Sequence, residues 1–135
     1  MTSRKKLSDK LFWVALVLLG LYVLYSKGMI MANFESVSAK VAYEMIQNDD
    51  NVTLLDVRTP EEFKKDGRIA GAKLIPLGQL SKNLKMLDKS KKVLVYCRSG
   101  SRSTSASRIL GNNGFTAINL SGGIGSWKAE KLPLQ

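Results

Sequence analysis

The stretch VLVYCRSGSRSTS, residues 93 to 105, holds the chain's single cysteine, Cys97, where an apolar run gives way to arginines, serines and a glycine. A cysteine kept for packing usually has apolar neighbours on both sides. This one has them on one side only. The chain contains no histidine, which removes Ser-His-Asp and Cys-His catalysis, histidine-ligated metals and the usual proton shuttle. A single cysteine also rules out an internal disulfide, a Cys-x-x-Cys redox pair and a zinc site built mainly of thiolates. No metal and no organic cofactor is called for, and any chemistry at Cys97 must run without a histidine base. The loop Arg98-Ser99-Gly100-Ser101-Arg102 leads into a helix expected from about Ser103. A glycine-bearing loop entering a helix can turn several N–H groups inward as an anion nest. Those dipoles and two guanidinium charges favour thiolate over thiol, so ionisation by the local field replaces a general base. The bland alternative is an inert buried cysteine beside a charged surface loop.

The elements that must position this loop follow from local pattern. VLVY reads as a buried strand, which puts Cys97 just past its carboxyl end, where ligand sites of α/β sheets lie. VTLLDV, residues 52 to 57, is a second apolar run of the kind covered on both faces. TPEEF then starts a helical turn, with Thr59 as N-cap, Pro60 first and Glu62 completing a capping box, and Gly67 stops it. FESVS, KLIPL and TAINL are further strand candidates, the proline of KLIPL marking a strand end or an edge. Helical spacing appears at Val41, Ala42, Met45 and Ile46, at Leu80, Leu84 and Leu87, and at Ala106, Ile109 and Leu110, with a last short helix around Trp127. Strand and helix alternate four or five times, which argues an α/β domain with a mainly parallel sheet and helices on both faces.

The chain's 135 residues suit one domain plus an appendage. Its formal net charge is +10, yet residues 35 to 135 carry 16 Lys and Arg against 10 Asp and Glu. The basic runs Lys64-Lys65 and Lys89 to Lys92 are too short and too separated for a nucleic-acid footprint, so no nucleic-acid partner is expected. A small anionic substrate suits the surplus better. Residues 1–10 form a basic tail, and residues 11–32 read as one N-terminal hydrophobic helix, with Leu11 to Tyr25 apolar throughout and GMIMA extending it past Lys27. The unbroken part spans about 22 Å as a helix, short of a ~30 Å hydrocarbon core without that extension. A membrane anchor, a cleaved signal sequence and a buried core helix compete for it. Arg4, Lys5, Lys6 and Lys10 precede the run, which places the N-terminus in the cytoplasm and the domain, residues 34–135, outside it. Export after signal cleavage is the alternative.

Three ordered motifs carry a family resemblance. CRSGSRS, residues 97 to 103, resembles the active-site loop of the rhodanese family of sulfurtransferases. LLDVRTPEEFKKDGRIAGAKLIPL resembles that family's upstream signature, and LSGGIGSW its closing segment. The signature often has histidine where Arg68 stands; Arg68 lies outside the cysteine loop, so the departure concerns surface packing. The resemblance spans about residues 34 to 132 and implies a rhodanese-like fold. It implies that Cys97 is the nucleophile and carries sulfur as a persulfide. Backbone amides from Arg98, Ser99, Gly100, Ser101, Arg102 and Ser103 would hold the persulfide and the donor oxyanion, with Arg98 and Arg102 attracting the donor. Asp56, Arg58 and Glu62 match signature positions and read as a structural polar network under the site, and Trp127 as core closure. The implied partners are a small anionic sulfur donor such as thiosulfate, a thiol or cyanide acceptor, and a persulfide-bearing protein as a further donor class.

Two other functions use similar parts. Cysteine-dependent phosphatases place arginine after five intervening residues; here Arg102 follows four, and the shorter loop encloses a volume better matched to sulfur than to a phosphoryl group. A membrane-tethered, non-enzymatic sulfane-sulfur sensor or binding module would keep the loop without turnover.

Overall fold

A computed structural model describes residues 2–26 and 33–135 of the chain, which divides into two units, Met1–Met31 and Ala32–Gln135. The first unit holds one helix, α1 (Thr2–Ser26). It takes in residues 2–10, read from the sequence as a tail. Lysine, arginine and leucine are good helix formers, and nothing in that stretch breaks a helix. Ser3–Ser26 is long and apolar enough to cross a membrane, as a span or as a signal sequence. At 1.5 Å per residue its 24 residues reach about 36 Å. None of that span is buried. The expected extension through Ala32 lies outside the described residues.

The second unit is a five-stranded sheet with the order β1-β5-β4-β2-β3, and every pairing is parallel. In chain order it runs β1 (Glu35–Val37), α2 (Ala39–Asn48), β2 (Val52–Asp56), α3 (Pro60–Lys65), β3 (Lys73–Leu74) and α4 (Leu77–Leu80). A 3-10 turn (Leu84–Met86), β4 (Lys92–Tyr96), α5 (Ser101–Asn112), β5 (Ala117–Leu120) and α6 (Gly123–Ala129) complete it. The continuous apolar runs are explained by a core on each face. Leu55, Val57, Val93, Val95, Cys97 and Ala117 point to one face and pack with Leu80, Ala106 and Leu110. Leu54, Leu94, Tyr96, Ile118 and Leu120 point to the other and pack with Ala42, Ile124 and Trp127. Side chains alternate across a strand, so a strand buried on both faces has no polar face to show. The two short strands, β1 and β3, form the edges, with Pro76 just beyond β3.

Two expectations from spacing need correcting. Leu80, Leu84 and Leu87 do not share one helix. The chain breaks at Asn83, whose side-chain amide donates to Gln79 O at 2.7 Å and closes α4. Leu80 and Leu87 still enter the same core by way of the turn. Val41 is 44% exposed, because α2 buries Ala39 and Ala42 and presents Val41 outward.

One feature of the topology fixes where a site can form. From β2 the chain leaves toward β3 on one side, and from β4 it leaves toward β5 on the other. The neighbouring strands β2 and β4 stay paired to their carboxyl ends, where Asp56 lies opposite Tyr96, and the chain leaves them in opposite directions. Such a switch point opens a crevice. Cys97 is the first residue beyond it.

Candidate active site

The loop after β4 folds back on its own cysteine. Gly100 N–H donates to Cys97 Sγ at 3.1 Å and Ser103 N–H at 3.4 Å. The Ser103 hydroxyl stands 3.4 Å from the same sulfur and also donates to Gly100 O at 3.1 Å. It accepts from the thiol and, by rotation, can donate to the thiolate. Cys97 is buried, whereas Arg98, Ser99 and Ser101 are exposed and Gly100 and Arg102 half-buried. The sulfur therefore lies at the floor of a small cup of amides.

Local chain chemistry explains the cup. Gly100 has φ +103, a conformation that costs glycine nothing, and it caps α5. Its carbonyl accepts from Thr104 N–H at 3.1 Å and Thr104 Oγ1 at 2.8 Å, which anchors the first turn. The helix starts at Ser101, two residues earlier than its expected start at Ser103. Its first turn therefore delivers the Ser103 N–H to the sulfur, where the positive end of the helix dipole also favours an anion.

Burial pushes the Cys97 thiol up, but the Ser103 hydroxyl and N–H, followed by the N–H groups of Gly100 and Ser99, outweigh it and leave the thiol below its ordinary value. Hydrogen bonds thus supply the pull that the sequence reading shared with the two arginines. A group held below its ordinary value ionises at lower pH than a free thiol does. Ser103→Ala removes the largest stabilising contribution and is expected to raise the midpoint of the pH profile for Cys97 alkylation. Iodoacetamide labelling followed by mass measurement checks this, and an unmoved midpoint would show that the hydroxyl does not ionise the thiol.

The second support was not read from the sequence beyond its resemblance to a closing segment. Gly122 and Gly123 turn the chain with φ +73 and +59, and bring α6 against the loop. There Ile124 N–H donates to Cys97 O at 2.9 Å and Gly125 N–H to Arg98 O at 3.0 Å. In a trans peptide the carbonyl and the next N–H point in opposite directions. Tying Arg98 O to α6 therefore turns the Ser99 N–H toward the sulfur. The signal in the sequence was the GG pair following the last strand.

The three upstream residues separate into two arrangements. Asp56 and Arg58 form a buried pair at the end of β2, with Arg58 Nη2 2.8 Å from Asp56 Oδ2 and Nε 3.1 Å from both carboxylate oxygens. Arg58 Nη2 also donates to Gly67 O at 2.8 Å, and its guanidinium lies 5.5 Å from the centre of the Tyr96 ring. Burial, reinforced by the Asp56 carboxylate, pushes the Tyr96 phenol up, so it stays neutral and accepts from Ile69 N–H at 3.3 Å. This network braces the switch point. Stripping one charge from such a pair costs about 3–5 kcal/mol, because the other is left buried alone.

Glu62 stands apart from that network. It receives Arg102 on both oxygens, Nη1 to Oε1 at 2.7 Å and Nη2 to Oε2 at 2.8 Å. Arg102, expected to face the donor, thus has one edge committed to a carboxylate. The expected capping box is present as well, with Thr59 Oγ1 accepting from Glu62 N–H at 3.2 Å and Glu62 Oε1 accepting from Thr59 N–H at 3.3 Å. Trp127 is buried, donates to Pro133 O at 2.8 Å and meets Tyr43 edge to face, which fits core closure. Arg68 stacks 4.6 Å from the centre of the Phe63 ring and exchanges backbone hydrogen bonds with Gln135, away from the cysteine loop.

Comparison with known proteins places these features in context. Residues 38–130 match the family model described as the rhodanese-like domain. A protein of Allochromatium vinosum named sulfurtransferase is 35% identical over 101 residues, which are 74% of this chain and 89% of that protein. Thiosulfate sulfurtransferase GlpE of Coxiella burnetii is 32% identical over 98 residues, 72% of this chain and 90% of that protein. A crystal structure of a rhodanese-related protein from Thermoplasma volcanium superposes with a TM-score of 0.70 at 36% identity, covering 76% of this chain and 98% of the other.

Proposed function

The chain belongs to the rhodanese-like domain family, and from that membership we propose that it is a sulfurtransferase working through a Cys97 persulfide. The observation that carries the reading is the set of N–H groups, from Gly100 and Ser103 in direct contact, gathered on one ionisable sulfur. The Cys97 thiolate attacks the outer sulfur of thiosulfate; a sulfur–sulfur bond forms, the donor's own breaks, and sulfite leaves with the electron pair. The enzyme then holds Cys–S–S⁻, whose negative charge has moved to the outer sulfur, where the amide cup stabilises it as an oxyanion hole would. Cyanide or a thiol takes the outer sulfur and the thiolate returns, so ping-pong kinetics are expected. Organic and protein persulfides are donors of the same chemistry. Arg98, exposed at the rim, draws anions toward the cup.

The N-terminal unit is proposed as a single-pass anchor, with residues 1–10 cytoplasmic, 11–32 in the bilayer and the domain 34–135 on the opposite side. The Lys and Arg excess before the apolar run supports that orientation.

The test is direct. Full-length protein in detergent, treated briefly with thiosulfate, should gain about 32 Da at Cys97 and lose it on cyanide with release of thiocyanate. Phosphate release from p-nitrophenyl phosphate without any sulfur uptake would replace this reading by a phosphatase. Sulfur uptake without turnover would point to a sensor.

A further inference from the structure

The pairing of Arg102 with Glu62 alters the charge of the site in a way the cysteine loop alone does not disclose. Glu62 comes from α3, after β2, and Arg102 from α5, after β4, so the pair closes across the switch point beside Cys97. It is partly buried, with the Arg102 side chain 35% exposed and that of Glu62 18% exposed. Glu62 Oε1 also accepts from Thr59 N–H and Thr59 Oγ1, so four contacts hold the carboxylate in place. Arg102 holds the Glu62 carboxyl down to about 2, so Glu62 is anionic at any working pH. Arg102 stands in the first turn of α5, next to Ser103, whose N–H and hydroxyl both meet the Cys97 sulfur.

We infer that Glu62 sets the donor preference of the site: by offsetting the Arg102 charge it favours donors with a single negative charge on sulfur, such as organic persulfides, over the thiosulfate dianion. The inference rests on the sulfur-transfer reading above. With a persulfide R–S–S⁻, the Cys97 thiolate bonds to the outer sulfur, the donor's sulfur–sulfur bond breaks, and R–S⁻ leaves with the pair. That step brings one negative charge to another, whereas thiosulfate brings two. Each unit of positive potential at the mouth therefore favours the dianion more strongly, and Glu62 removes about one unit from the loop side.

The chain's single thiol allows a measurement of this potential that does not depend on turnover. Anionic iodoacetate and neutral iodoacetamide both react with the thiolate, so the ratio of their rates at Cys97 cancels its ionised fraction and reports local charge. Glu62→Gln in the full-length protein is expected to raise the iodoacetate-to-iodoacetamide ratio about three- to tenfold. The ratio of kcat/KM for thiosulfate over 2-hydroxyethyl persulfide should move the same way. Arg102→Gln should lower both ratios, which keeps the test alive if Glu62→Gln does not fold. Thr59→Ala weakens the cap but keeps the charge, and should leave both ratios unchanged. Unmoved ratios in Glu62→Gln, or an equal shift in Thr59→Ala, would overturn the inference. A shifted alkylation ratio with no sulfur taken from either donor would instead sink the sulfurtransferase reading, and the donor preference with it, while the charge effect stood.

Discussion

Cys97→Ser is expected to abolish sulfur uptake and to reduce thiocyanate formation to the rate without enzyme, while the protein remains folded. Serine fits the cup: its hydroxyl can accept from the Gly100 and Ser103 N–H groups that now reach the sulfur. Stability should change by no more than about 1 kcal/mol, read by thermal or urea unfolding. The chemistry does not survive, because an alcohol is protonated at neutral pH and forms no persulfide. The gain of about 32 Da should vanish with the turnover. Turnover retained in Cys97→Ser would show that the sulfur moves elsewhere. That result would remove the role proposed for the loop.

Gly123→Ala is expected to be nearly as damaging to activity, although Gly123 carries no chemistry. A Cβ there would fall 2.5 Å from Cys97 O and 2.7 Å from the carbonyl carbon and oxygen of Arg98, at a backbone φ of +59. The obstructing atoms are main chain, so no side chain can swing away. Relief requires α6 to separate from the loop, which breaks the bonds from Ile124 N–H and Gly125 N–H that hold the two carbonyls. The loop peptides are then free to turn, and the cup loses its aim. We expect a stability loss of about 2–4 kcal/mol and a fall in kcat/KM of about a hundredfold or more. Gly125→Ala is the control. Its Cβ would stand 3.4 Å from Arg98 O, an ordinary contact, and the change should cost little. Equal losses in the two variants would show that the close approach at Gly123 is not what aligns the loop.

Much of the site was legible because its signals are local. A lone cysteine at the end of an apolar run, followed by small residues and a helix start, requires only neighbouring residues to be read. The capping box at Thr59 and Glu62 was legible for the same reason: both its hydrogen bonds join residues three apart. The break at Asn83 was not, since leucines at helical spacing can reach one core either along a helix or around a turn. Val41 failed likewise. Helical spacing says which residues share a face, but the neighbouring helix and sheet decide how far that face is covered.

The order of residues along the chain by itself determined the parallel α/β architecture, the loop around Cys97 and the long apolar N-terminal helix, because each is encoded in short-range periodicity. Only the tertiary structure decided the partners that come from distant segments. Glu62 meets Arg102 forty residues away, and the N–H groups of Ile124 and Gly125 at the start of α6 capture carbonyls twenty-seven residues upstream. The physical reason is that the connections after β2 and β4 leave the centre of the sheet in opposite directions, which brings three separate stretches of chain to one crevice. Whether a loop arginine faces solvent or a carboxylate depends on what folds against it.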